Sequence, residues 1–173
     1  GNDTWPSNTT LIGSTSSGKT FALKDRIKRN LDGPKRSRRQ FLIFSAEWDS
    51  DKTMKPLKHD KYKSYIYGKE ISDQAFKDSD YDSIEQFFTH EIEMRWENAV
   101  KGTVCCFDDP VDAAEGLQSL IRNLINRALR VSRHKSTGIS FILHRIRSGA
   151  WSQQSANSAE WIVLFPRAQK GKV

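Results

Sequence analysis

An α/β fold, with a mostly parallel central sheet covered by helices on both faces, is what the sequence predicts. Three observations predict it. Short apolar runs of four or five residues recur, continuous rather than alternating, as strands buried on both faces require. Segments with apolar side chains at helical spacing lie between them. Runs and segments alternate along the chain, the pattern of strands joined by helical crossovers.

Residues 9–12, Thr-Thr-Leu-Ile, read as a short buried strand with β-branched content. A Gly/Ser-rich turn follows, then a helix over 21–31 with Phe21, Leu23 or Lys24, Ile27 and Leu31 at helical spacing, stopped by Gly33-Pro34. The basic run Lys35 to Arg39 leads into a second strand, Phe41 to Phe44. Residues 50–60 are polar and Lys-rich and read as a loop, and 65–67 as a minor strand. A helix is predicted over 83–100 from Ile84, Phe87, Phe88, Ile92 and Trp96, capped by Asp82 or Ser83 and ended by Lys101-Gly102. Residues 103–107 form a third buried strand, ending in Asp108-Asp109-Pro110. A long helix over 112–131 carries Leu117, Leu120, Ile121, Leu124, Ile125 and Leu129 on one side. Residues 139–143 form a fourth strand, 145–159 a Ser/Gln-rich loop containing Trp151, and 161–165 a fifth strand closed by Pro166.

At 173 residues and 19.8 kDa the chain fits one domain around one core, with the core placed at about 9–167. No apolar run approaches the roughly 20 residues that cross a bilayer. The first residues lack the basic end and apolar stretch of a signal peptide. Cys105 and Cys106 are neighbours on a strand and point to opposite faces, a poor disulfide and a poor zinc site, so they read as core residues of a reduced, intracellular protein. A net charge of +7 and a pI near 9.5 favour a polyanionic partner without specifying one.

The chemistry concentrates in Gly13-Ser14-Thr15-Ser16-Ser17-Gly18-Lys19-Thr20, which satisfies G-x-x-x-x-G-K-[ST] at every fixed position. Small residues let backbone N–H groups curl around phosphate oxygens, and the helix that opens near Gly18 points its positive end at the anion. Lys19 is placed to reach the β- and γ-phosphates and the Thr20 hydroxyl to bind Mg²⁺. The motif follows a predicted strand and precedes a predicted helix, the context that separates a phosphate loop from a chance Ser/Gly turn. The expected fold is thus a P-loop NTPase sandwich of the RecA-like, or ASCE, kind, and the expected ligands are ATP and Mg²⁺.

Asp108 and Asp109 follow an apolar strand at its carboxyl end, where ligands bind in open α/β sheets. Asp108 is expected to hold Mg²⁺ through water and Asp109 to polarise the attacking water. An Asp-Asp-Pro turn that caps the next helix is the alternative, though Asp112 could cap it instead. The fourth strand ends at His144, which in hydrolases with an extra strand between the P-loop strand and the acidic strand would sense the γ-phosphate; an ordinary strand-end histidine is the alternative.

The order of these motifs resembles the FtsK–HerA superfamily of DNA-pumping ATPases, and most of all the poxvirus-type genome-packaging ATPases of double-jelly-roll DNA viruses. It rests on the P-loop, the later Asp108-Asp109 pair, a long helix running into Arg130-Val131-Ser132-Arg133-His134, the strand that ends at His144, and the terminal strand. Two positions depart from the pattern: relatives commonly carry Glu where Asp109 stands, and many carry Gln where His144 stands.

The resemblance implies a ring, pentameric or hexameric, with ATP between subunits and a neighbour's arginine at the γ-phosphate; Arg133, then Arg130, are the candidates. It implies double-stranded DNA as the moved substrate, with Arg145 and Arg147 on phosphates and Trp151 stacking or packing in a crevice, against the alternative of a surface loop with an anchoring Trp. A viral capsid or membrane protein as anchor, and a location inside the host cell, in cytoplasm or nucleus, and in the virion, follow in the same way. The Lys35 to Arg39 run is a second nucleic-acid candidate beside the reading as a solvated turn. Two other functions fit the motif: a small-molecule kinase, disfavoured by the acid pair, and a nucleotide-binding switch or assembly module with little turnover.

Overall fold

A computed structural model describes residues 8–13, 17–93, 95, 98–100, 102–108, 115–135, 137–143 and 161–164. Among these, six strands form one sheet: β1 (Asn8–Ile12), β2 (Phe41–Ser45), β3 (Ile66–Glu70), β4 (Val104–Asp108), β5 (Gly138–Leu143) and β6 (Trp161–Leu164). Their spatial order is β3-β2-β4-β5-β1-β6, and every pairing is parallel. The strand that precedes the phosphate-loop motif therefore lies inside the sheet, flanked by β5 and β6.

Strand alternation sorts side chains into two apolar layers. Val104, Cys106, Phe41 and Ile43 pack with Leu23, Ile27 and Leu31 of α1 (Lys19–Asp32). Cys105, Phe107, Leu42, Phe44, Ile139 and Phe141 pack with Leu117, Ile121, Leu124, Ile125 and Ala128 of α2, the long helix Glu115–Lys135. The two cysteines are unbridged and buried on opposite faces, and burial pushes both thiols well above the ordinary range. They are core residues, as their adjacency predicts.

Several boundaries differ from the sequence reading. Phe21 was expected on the apolar face of α1 but is 59% exposed, with the Lys24 ammonium 3.9 Å from its ring centre; the inward stripe is Leu23, Ile27 and Leu31. The helix predicted over 83–100 begins earlier, at Tyr81–Gln86, because Asp80 caps it by accepting from the Ser83 N–H at 2.7 Å, so neither Asp82 nor Ser83 is the cap. That hydrogen bond also lowers the Asp80 carboxyl pKa. The helix then widens into a π-helical stretch, Phe87–Glu93, where Phe88 is buried and Phe76 and Phe87 pack around it.

The Lys-rich stretch read as a loop holds two 3₁₀ turns, Lys55–Lys58 and Asp60–Tyr62, pinned to the α1 face by buried Trp48, Met54, Leu57 and Tyr62. Trp48 packs against β3, the outer described strand, at Gly68, where a Cβ would come within 2.1 Å of the indole. A glycine at that point is what lets the ring close over the strand.

The Lys35 to Arg39 run is partly structural. Arg38 donates to the Gly33 carbonyl at 3.1 Å and lies over the Tyr65 ring, Arg39 donates to the Gly102 carbonyl at 3.3 Å, and Asn30 holds the Arg39 N–H at 2.9 Å. Among the described residues no helix is long and apolar enough to cross a membrane.

Candidate nucleotide site

The site forms at the carboxyl edge of the sheet. Register fixes its layout: Ile12 of β1 pairs with Leu143 of β5, and Asp108 of β4 pairs with Ile142 of β5. The ends of β1 and β4 are therefore level, with β5 between them, about 10 Å apart at the usual strand spacing. The Gly13 N–H continues the β1–β5 ladder by donating to the Leu143 carbonyl at 3.1 Å.

Gly18 then turns the chain into α1 with φ of +91°, in the left-handed region that glycine adopts without steric cost. Beyond its chain neighbours and the helix's own backbone, no atom of the described residues lies within 4 Å of a Cβ built there, and the backbone angle itself selects glycine. Lys19 is only 4% exposed despite its charge. Its ammonium donates to the Gly13 carbonyl at 2.6 Å and to the Ser17 hydroxyl at 3.2 Å, tying the two ends of the loop together at the start of α1.

Asp108 is 6% exposed and closes β4 on the same face as Val104 and Cys106, the face that α1 covers. Its carboxylate accepts a hydrogen bond from the buried Ser45 hydroxyl at 3.3 Å. Ser45 ends β2, the next strand along, and its hydroxyl oxygen also accepts the Glu47 N–H at 3.2 Å. Sequence reading missed Ser45. The available signal was a lone polar residue closing an otherwise apolar strand run.

The structure thus brings Gly13, Ser17, Gly18, Lys19, Thr20 and Asp108 to one edge. Ser14, Thr15, Ser16, Asp109, His144, Arg145, Arg147 and Trp151 lie outside the described residues. Arg133 falls at the opposite edge as far as its backbone goes: α2 ends at Lys135, just before Gly138, which pairs with Val104 at the amino end of β4. Arg130, exposed on the same helix, lies less than one turn earlier.

The donor set fits a magnesium nucleotide. Mg²⁺ takes hard oxygen ligands, usually one or two from protein with the rest from phosphates and water. The Thr20 hydroxyl and the Asp108 carboxylate are such oxygens. No group of three or more His, Cys, Asp or Glu side chains among the described residues could cage a metal without help.

No protein-family model matches this sequence, and no curated protein matches it. Solved structures do. The cytoplasmic domain of EssC matches with a TM-score of 0.62 at 10% identity, over 97% of this chain and 34% of that one. EssC (ATPases 2 and 3) from Geobacillus thermodenitrificans matches with a TM-score of 0.56 at 9% identity, over 95% of this chain and 33% of that one. The pCW3 conjugation coupling protein TcpA, solved with ATPγS, matches with a TM-score of 0.52 at 14% identity, over 88% of this chain and 47% of that one. The chain spans between a third and a half of these proteins. At such identities the likeness is one of fold, and the fold is that of a P-loop ATPase domain.

Proposed function

We propose that this chain is the ATP-hydrolysing, Mg²⁺-dependent domain of a nucleic-acid translocase of the FtsK–HerA kind, and that it works as a ring moving double-stranded viral DNA into a capsid. The observation that carries this reading is the sheet order β4-β5-β1, which sets Lys19 and Asp108 on one edge with a strand between them. The likeness to EssC ATPases and to a conjugation coupling protein supports a translocase over a kinase.

Within this reading Lys19 holds the β- and γ-phosphates, while the Thr20 hydroxyl and the Asp108 carboxylate, the latter through water, hold the metal. Bound Mg²⁺ neutralises charge that builds on the phosphate oxygens. Asp109 accepts the proton of the attacking water, His144 senses the γ-phosphate, and Arg133 serves a neighbouring subunit. Arg145, Arg147 and Trp151 contact the DNA.

The test is steady-state ATP hydrolysis at several protein concentrations, with and without duplex DNA, with Lys19→Ala as control. Turnover that rises with both protein and DNA, and vanishes in Lys19→Ala, is the expected result. Bound nucleotide without turnover under every condition would replace this reading with a nucleotide-binding switch.

A further inference from the structure

The excursion between β2 and β3 carries a feature that nucleotide chemistry does not use. Lys52, Lys55, Lys58 and Lys61 recur at every third residue, and with Lys28 of α1 they line one open groove of about 750 Å³. The spacing and the backbone agree. In a 3₁₀ turn residues three apart stand one above the other, so Lys55 and Lys58, at the two ends of the turn Lys55–Lys58, share a side.

The platform beneath is fixed. Trp48, Met54, Leu57 and Tyr62 are buried in the layer that packs on α1. Lys58 donates to the Trp48 carbonyl and sits 5.0 Å from its ring centre, contacts that place the cation without neutralising it. Lys28 and Lys61 share the Asp32 carboxylate at 2.7 and 3.0 Å. Lys52 and Lys55 are exposed and make no ion pair with any described residue. The groove therefore keeps an excess of positive charge in a preorganised concave surface, which attracts and retains a polyanion.

The groove's own chemistry selects among polyanions. Lipid surfaces are gripped by basic residues beside large exposed apolar ones; here Pro56 is the exposed apolar side chain in the lining, and the exposed large ones, Phe21, Tyr81, Val100, Val163 and Leu164, lie elsewhere. An acidic peptide would bury large apolar side chains at the centre of its interface, and besides its lysines this groove offers only Pro56, His59 and the largely buried Tyr62 to receive them. A phosphodiester backbone needs only a row of cations along a channel. Lysines, as point charges on flexible stems, supply that without reading sequence.

We propose that this groove binds the phosphodiester backbone of nucleic acid on the flank of the molecule, apart from the nucleotide site. Lys28 lies nine residues beyond Lys19 along α1, about 14 Å of helix. The proposal shares with the translocase reading only nucleic acid as partner and does not depend on hydrolysis.

The experiment measures anisotropy of labelled single-stranded and duplex DNA with the full chain, without nucleotide, between about 50 and about 200 mM salt. Lys52→Glu/Lys55→Glu is expected to bind about tenfold more weakly at low salt, and its log–log salt slope to be shallower by about 1.5 to 2. Lys55→Glu should weaken binding more than Lys77→Glu, which changes net charge equally on the turn after β3, outside the groove. Lys19→Ala should bind DNA as the unaltered chain does, so a failed ATPase assay and a failed groove remain distinguishable. Circular dichroism checks that the exposed substitutions leave the fold intact. Unchanged affinity in the double variant would overturn the proposal. So would equal losses in Lys55→Glu and Lys77→Glu, or binding to phosphatidylserine vesicles or polyglutamate in place of DNA.

Discussion

Ser45 donates to Asp108 at 3.3 Å across two strands that lie 63 residues apart in sequence. A hydroxyl donor helps to orient the oxygens of a buried carboxylate, and orientation is what a metal-binding acid needs from its supporting residues. Ser45→Ala should therefore lower ATP turnover by about tenfold and raise the Mg²⁺ concentration needed for half-maximal rate. Ser45→Thr, which keeps the hydroxyl, should restore much of both. An alanine variant with unaltered Mg²⁺ dependence would show that Asp108 needs no such support. Lys19, Gly18 and Asp108 were legible in the sequence because the motif and the strand end mark their positions directly. Ser45 was not, because nothing linear says that the end of β2 lies beside the end of β4. Phe21 misled for a related reason: apolar spacing cannot tell which edge of a helical stripe turns to solvent.

At the scale of elements, the Lys-rich excursion is tied to the C-terminal end of α1 through Asp32. Its carboxylate accepts from Lys28 at 2.7 Å, from the Tyr62 hydroxyl at 2.6 Å and from Lys61 at 3.0 Å. These bonds, led by that from Lys28, hold its pKa well below the usual carboxylate value, and they raise those of Lys28 and Lys61. A carboxyl whose pKa is depressed on folding stabilises the fold above its unfolded value, near 3.9, and that contribution is lost as the pH falls further through the folded value. Urea unfolding at a series of pH values should show Asp32→Asn less stable than the unaltered chain from pH 5 to 7. The gap should close as the pH drops below about 4. A gap independent of pH would mean that the ionic bonds do not carry the tie. This excursion was illegible beforehand because Trp48, Met54, Leu57 and Tyr62 follow neither the helical nor the strand period. Its polar composition therefore reads as a loop, while the few apolar anchors do the packing.

At the scale of the molecule, the strand runs were legible because parallel strands buried on both faces are continuous apolar segments. The expectation that β5 separates β1 from β4 holds in the sheet order. The position of Arg133 bears on assembly: α2 carries its backbone to the amino edge of the sheet, away from its own Lys19 at the carboxyl edge. In the ring proposed above, Arg133 serves only a neighbour's nucleotide. Arg133→Ala and Lys19→Ala should each be inactive alone, an arginine supplied in trans being worth about 10³ to 10⁵ in rate. Mixed in equal amounts they should recover about a quarter of full turnover, the share of interfaces that pair an intact lysine with an intact arginine in a randomly mixed ring. Full activity of Arg133→Ala alone would end its assignment. The sheet order also constrains how the chain can be made. Among the described strands β1 is synthesised before the others, yet both its neighbours, β5 and β6, follow β2, β3 and β4. At usual translation speeds the phosphate-loop strand waits on the order of ten seconds for its first partner to leave the ribosome. Until then its N–H and C=O groups have no native ladder. A nascent chain released before residue 143 can pair β2, β3 and β4, but it cannot complete the ladder that holds β1 and the Gly13 end of the loop in the sheet.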